Sequence, residues 1–158
     1  MIIEIKITDK MISLAKNKSE EMGNLNHSIL NGCGNLAGFI GEQIAMYVLG
    51  GDWCNTYNYD IIVSEKRIDV KTKQTTVEPK PFYECSIAAY NTKQDCDAYA
   101  FVRVKKDLSV GWFLGIKTKE KYFNQATLMK KGDIDPSNNF IVRADCYNLP
   151  ISKLDNGL

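Results

Sequence analysis

The sequence predicts one α/β domain, bordering on α+β, in which helices flank a mixed central sheet. Three observations support this. Two helical segments near the N-terminus are followed by a series of strand-like runs, an order that belongs to packed layers of helix and sheet. A chain of 158 residues has the length of a single ordinary domain with its own core. No internal repeat, low-complexity segment or linker divides residues 1–158.

The elements follow in order. Residues 2–7 alternate as Ile3-Glu4-Ile5-Lys6-Ile7 and read as a strand. Thr8 or Asp9 offers an N-cap for a helix to about Met22, with Met11, Ile12, Leu14 and Ala15 on its apolar side and Gly23 as a stop. Residues 23–34, rich in Gly and Asn, read as a loop. A second helix spans about Asn35 to Leu49 and is closed by Gly50-Gly51. Strands are expected at 59–64, 67–76, 82–88, 98–105 and 109–116, with a short helix around Thr118–Phe123. Lys130–Asn139 reads as a polar turn region and residues 139–144 as a last strand.

Composition excludes several classes. Apolar and charged fractions of 44% and 25% are ordinary for a globular protein. No apolar run approaches the roughly 18–20 residues that cross a bilayer, and the N-terminus lacks the pattern of a signal peptide. The expectation is a cytoplasmic protein without membrane contact. The five cysteines, Cys33, Cys54, Cys85, Cys96 and Cys146, are scattered with no C-x-x-C pair. That argues against a disulfide framework or a Cys-ligated zinc, and for small hydrophobes in a reducing compartment. The single histidine, His27, sits in the Asn-rich loop and reads as solvated. A net charge of +1 gives no global nucleic-acid footprint. Basic residues are locally in excess between Glu65 and Lys80, where Lys66, Arg67, Lys71, Lys73 and Lys80 outnumber Glu65, Asp69 and Glu78.

Glu42 is the only Asp, Glu, Lys, Arg or His of the second helix. Gly38, Phe39, Ala45 and Met46 share its face. A carboxylate on so apolar a helix is costly unless a cation compensates it. That cation could be a core Lys or Arg. Gly38 and Gly41 beside it open the helix to close approach by another backbone.

The runs Tyr59-Asp60-Ile61-Ile62-Val63 and Ile68-Asp69-Val70-Lys71-Thr72 read as a hairpin. Pairing Val63 with Ile68 and Ile61 with Val70 buries four β-branched residues on one face. The same register sets Asp60 opposite Lys71 and Ile62 opposite Asp69 on the other, at cross-strand separations of about 4.5–5.5 Å. Adjacent carboxylates repel, raising their pKa values unless a cation lies between them. A hard, oxygen-liganded ion such as Mg²⁺ suits the space. Lys71 could then stabilise charge on a phosphate, with Glu42 adding a ligand from a helix on the same face. An Asp–Lys cross-strand ion pair on a solvent face is the plainer alternative for Asp60 and Lys71. The D/E-x-K tripeptide alone says little, since Glu4-Ile5-Lys6 is another.

The order Gly41-Glu42 on a helix, Tyr59-Asp60, then Ile68-Asp69-Val70-Lys71 resembles the PD-(D/E)XK nuclease superfamily over about residues 38–74, a quarter of the chain. Tyr59 stands where the motif has Pro, and Asp69 where it often has Glu. The closing part, Lys130 to Ile151, has the character of small phage- or mobile-element-encoded members. The resemblance implies a restriction-endonuclease-like αβββαβ core, Mg²⁺ or Mn²⁺ as cofactor, and hydrolysis of DNA phosphodiester bonds. It implies Asp60 and Asp69 as metal ligands, the Val70 carbonyl as another, Lys71 as catalytic lysine and Glu42 as the helical acid. Lys73, on the Lys71 face, would contact phosphate, with Lys66 and Arg67 also on the nucleic-acid side; Gln74 has the opposite parity. A homodimer would suit double-strand cutting. The alternative is a catalytically inactive nuclease-fold module that binds nucleic acid or a protein, a reading that the near-neutral charge favours.

Overall fold

In a computed structural model of the chain, the described residues are 1–26, 33–54, 56, 58–136 and 139–158, without the side chains of 22–26 and 33–35. His27 lies outside them. The architecture is α/β, with three layers. The middle layer is a mixed sheet of six strands. In spatial order these are β1 (Ile3–Lys6), β7 (Val110–Thr118), β6 (Ala98–Lys105), β4 (Lys66–Thr75), β3 (Ile61–Val63) and β2 (Asp52–Trp53). All neighbours are antiparallel except β4 and β6.

One face of this sheet is covered by α1 (Asp9–Asn26) and α2 (Cys33–Leu49). Ile40, Ile44 and Ala45 of α2 pack there on Ile61, Ile68, Val70, Ala100 and Val102. Both helices begin or end beyond the sequence expectation, and the predicted loop at 23–34 shrinks accordingly. Leu14 turns outward, while Met11 and Ala15 face the core. The other sheet face carries Tyr99, Phe101, Trp112 and Leu114. It is covered by α3 (Lys119–Gln125) and by a small sheet of β5 (Glu84–Ala88), β9 (Cys146–Pro150) and β8 (Thr127–Met129). The parallel step from β4 to β6 contains β5 and a short 3₁₀ turn at Ala89–Asn91, and no α-helix.

The expected last strand at 139–144 is absent; Phe140 and Ile141 are exposed, and the strand is Cys146–Pro150. Ile141 forms an isolated antiparallel bridge to Ile134 that does not extend into a ladder. Strands β2 and β8, two and three residues long, are too short for periodicity to reveal. The described thiols of Cys54, Cys85, Cys96 and Cys146 are all free. No helix among the described residues is long and apolar enough to cross a membrane.

Of the two glycines beside Glu42, one is used for close packing. A Cβ on Gly41 would overlap Thr72 Oγ1, so its absence seats α2 on β4; a Cβ on Gly38 would meet nothing within 4 Å among the described residues. Gly41→Ala should lower stability by about 1–3 kcal/mol through overpacking. Gly38→Ala should instead raise it by up to about 1 kcal/mol, because alanine favours helix. Thermal unfolding of both variants checks this, and equal effects would contradict the packing described.

Candidate metal and phosphodiester site

The β3–β4 hairpin turns in two residues, Ser64 and Glu65, at φ 47° and 66°. Positive φ at both positions matches the right-handed twist of the strands. This tight turn sets Ile61 against Ile68 and Val63 against Lys66. The sequence register is therefore corrected by two residues. An even slip keeps every side chain on its predicted face. It moves Asp60 away from Lys71 and brings it beside Asp69.

β3 covers only the first three residues of β4, so from Asp69 onward that edge of β4 is open. The carbonyls of Arg67 and Thr75 accept from Asp97 and Lys106 on the β6 side. Alternation turns the backbone of Val70, Thr72 and Gln74 towards the open edge. Asp60 caps the gap: its Oδ2 accepts from the Val70 N–H at 2.7 Å.

This position explains how three carboxylates meet. Glu42 does not share a sheet face with Asp69, contrary to the sequence expectation. The helix α2 covers the Val70 face, whereas Asp69 and Lys71 point to the other, where Lys71 Nζ lies 5.8 Å from the Tyr99 ring centroid. Asp60, in the rift where β3 ends, feels the charges of both Glu42 and Asp69.

Two lysines offset the three acids. Lys71 Nζ is 2.7 Å from Asp69 Oδ2, although the approach is not that of a directed hydrogen bond and leaves this buried oxygen without one. Gln94 Oε1 accepts from the same ammonium at 3.1 Å. Lys18 Nζ lies 3.6 Å from Glu42 Oε2 and 4.0 Å from the Trp53 ring centroid, while Trp53 Nε1 donates to Glu42 Oε2 at 2.6 Å. Burial pushes the Glu42 carboxyl up, against the pull of Lys18 and Trp53. Burial, then Glu42 and Asp69, push Asp60 up to about 8.

Glu42, Asp60, Asp69 and Lys71 are thus brought together, with the Val70 carbonyl on the adjoining edge. Lys18, Trp53 and Gln94 were missed. Lys18 continues the Met11–Ala15 stripe of α1 at helical spacing and was legible as its inward cation; Trp53 and Gln94 carry no local signal. Asp97 accepts from the Arg67 backbone N–H and guanidinium at 2.8–3.2 Å, and Asp95 Oδ2 lies 2.9 Å from Nη1, so Arg67 also clamps a loop. Lys66 is exposed beside the turn, and Lys73 lies beyond Lys71 on β4. Glu4 of the other D/E-x-K tripeptide accepts from Trp112 on the edge strand β1 at 3.2 Å.

An all-oxygen donor set with excess negative charge fits a hard divalent cation. Among the described residues no three acidic, His or Cys side chains already converge as a cage. Asp60 and Asp69 aim oxygens at Val70 N and Lys71 Nζ, so holding an ion requires them to rotate. No protein-family model matches the chain, and no curated protein matches it either.

The Asp60 proton has a consequence for stability. The folded chain holds it up to about pH 8, against 3.8 for the ordinary carboxyl. Folding therefore binds a proton in that window, and metal-free stability should fall as pH rises from about 4 to 8. Asp60→Asn keeps the acceptor for Val70 N–H and removes the charge. It should raise metal-free stability at pH 8 by about one to several kcal/mol and flatten the pH profile. Denaturant unfolding of both proteins at pH 5 and pH 8 tests it; a lower stability of the variant at pH 8 would contradict the electrostatics.

Proposed function

We propose that this chain is a divalent-metal-dependent deoxyribonuclease of PD-(D/E)XK type, hydrolysing DNA phosphodiester bonds in the cytoplasm. The observation that carries the reading is the meeting of Glu42, Asp60 and Asp69 at the open edge of β4, beside Lys71. Asp60, Asp69 and the Val70 carbonyl would hold Mg²⁺ or Mn²⁺, with Glu42 as the outer carboxylate restrained by Trp53 and Lys18. A bound ion supplies acidification of water and charge neutralisation at phosphate.

The residues of the chain do the rest. Asp69 and Gln94 hold the Lys71 ammonium at the rim, where it neutralises the negative charge that grows on the phosphate oxygens as water adds to phosphorus. Rupture of the P–O ester bond then releases two strand ends. Asp60 must give up its proton before it can act as a ligand, so affinity for the ion rises with pH. Lys73 and Lys66 supply backbone-positioning charge. A homodimer would place two such sites for double-strand cutting.

A second reading keeps the fold for binding without turnover. It is favoured by the Lys18–Glu42 and Lys71–Asp69 pairs together with the Asp60 proton, which balance the cluster with no metal ion.

Cutting of plasmid and oligonucleotide DNA with Mg²⁺ or Mn²⁺ separates the two. The wild type should cut, and Lys71→Ala or Asp69→Asn should slow cutting on the order of 10²–10³-fold. Undiminished cutting by either variant would sink the site assignment; DNA binding without product under either metal would favour the second reading.

A further inference from the structure

Beyond Lys71 the open edge of β4 borders a cavity of about 620 Å³. A second, of about 570 Å³, adjoins it towards the small sheet. Lys73, Glu84, Ser86 and Arg103 line both, so the two run on as one groove.

Arg103 is the informative side chain. It is 7% exposed, yet no carboxylate among the described residues pairs with it. Its Nη2 donates to the Glu84 carbonyl at 3.1 Å, and its guanidinium lies 5.3 Å from the Tyr83 ring centroid. Among the described residues its guanidinium makes no other hydrogen bond. The nearby Glu84 carboxyl does not compensate it: its Oε2 is buried without a hydrogen-bond partner. Burial pulls the guanidinium pKa down, and burial followed by Arg103 does the same to Lys73. A buried cation without an anion is costly, and this one faces a groove that can admit an anion.

We propose that Arg103 and Lys73 form a phosphate subsite for a single nucleic-acid strand, one step from the phosphate at Lys71. The inference rests on the nuclease reading above and names its substrate class. Lys71 and Lys73 are alternate residues of β4, roughly 6.6 Å apart along the strand, and Lys73 is the register partner of Arg103 on β6. Lys71 thus marks one level of this sheet face and the Lys73–Arg103 pair the next, the spacing at which successive phosphates of an extended strand would meet them. The cavities are the size of small-molecule sites, roughly 300–1,000 Å³. They have room for a nucleotide or two. Phe82, 67% exposed at the second cavity, offers a ring on which an unpaired base can stack; a duplex keeps its base faces hidden.

The test measures anisotropy of a fluorescent oligothymidylate, and of a duplex of equal length, in EDTA over a salt series. Cutting of the same oligonucleotides is measured separately with Mg²⁺ and Mn²⁺. The single strand should bind more tightly than the duplex. Arg103→Gln should weaken its binding about tenfold, the loss of one charge-assisted contact, and reduce the salt slope by about 0.7. Because Arg103 is buried, Lys73→Gln at an exposed position is measured beside it. It should weaken single-strand binding in the same sense with unfolding temperature unchanged.

Preference for the duplex would overturn the subsite. So would unchanged affinity and salt slope in Lys73→Gln, whether or not Arg103→Gln folds; cutting that persists in that case leaves the nuclease reading standing. Arg103- and Lys73-dependent single-strand binding with no cutting under either metal keeps the subsite and removes the nuclease reading.

Discussion

The hydrogen bond from the Val70 N–H to Asp60 Oδ2, 2.7 Å long, stands where a strand should have continued. β3 stops at Ile61, and the ladder that would have satisfied β4 is replaced by one carboxylate. A buried backbone donor must find a partner, and here the partner is charged. The substitution puts an acid into the plane of the sheet. From that position it is reachable by Glu42 on the helical side and by Asp69 on the other. Had β3 run two residues further back, its backbone would have occupied the gap and the sheet would have separated Glu42 from Asp69.

The electrostatics follow from that placement. Three carboxylates face two lysines, and each lysine is anchored by more than its acid. Lys18 lies against Trp53 and Phe39; Lys71 is held by Gln94 and lies near Tyr99. The remaining negative charge must be met by a proton or by an added cation. Below neutrality Asp60 holds the proton, and under the proposed reading a metal ion would compete with it. Occupancy would then be coupled to pH, and the Val70 carbonyl faces the edge of β4 that β3 leaves uncovered. The groove that begins there is lined by further cations on the Lys71 face.

Much of this was legible from hydrophobic patterning. Alternation placed Ile61, Val63, Ile68 and Val70 on one face and Asp60, Asp69 and Lys71 on the other; the even register error preserves these faces except for Asp60, whose carboxylate turns into the sheet edge to accept from Val70 N–H. The register itself was decided by Ser64 and Glu65, neither of which is a residue that announces a two-residue turn with positive φ. The cost of burying Glu42 was legible, and Lys18 at helical spacing from Ala15 is the cation it called for. Trp53 and Gln94 meet the site through tertiary contact alone, so no local pattern marks them. Arg103 reads in sequence as one basic residue in an apolar strand, and only the packed sheet shows that no acid among the described residues pairs with it.

The most direct test of the site is the anomalous scattering of Mn²⁺ soaked into crystals at pH 8, where Asp60 is free to release its proton. A metal-bridged site predicts a peak between Asp60 and Asp69, within coordinating reach of the Val70 carbonyl, that disappears in crystals of Asp60→Asn. Ordered carboxylates with no peak at saturating Mn²⁺ would contradict it, leaving Lys18, Lys71 and one proton as the whole of the charge balance.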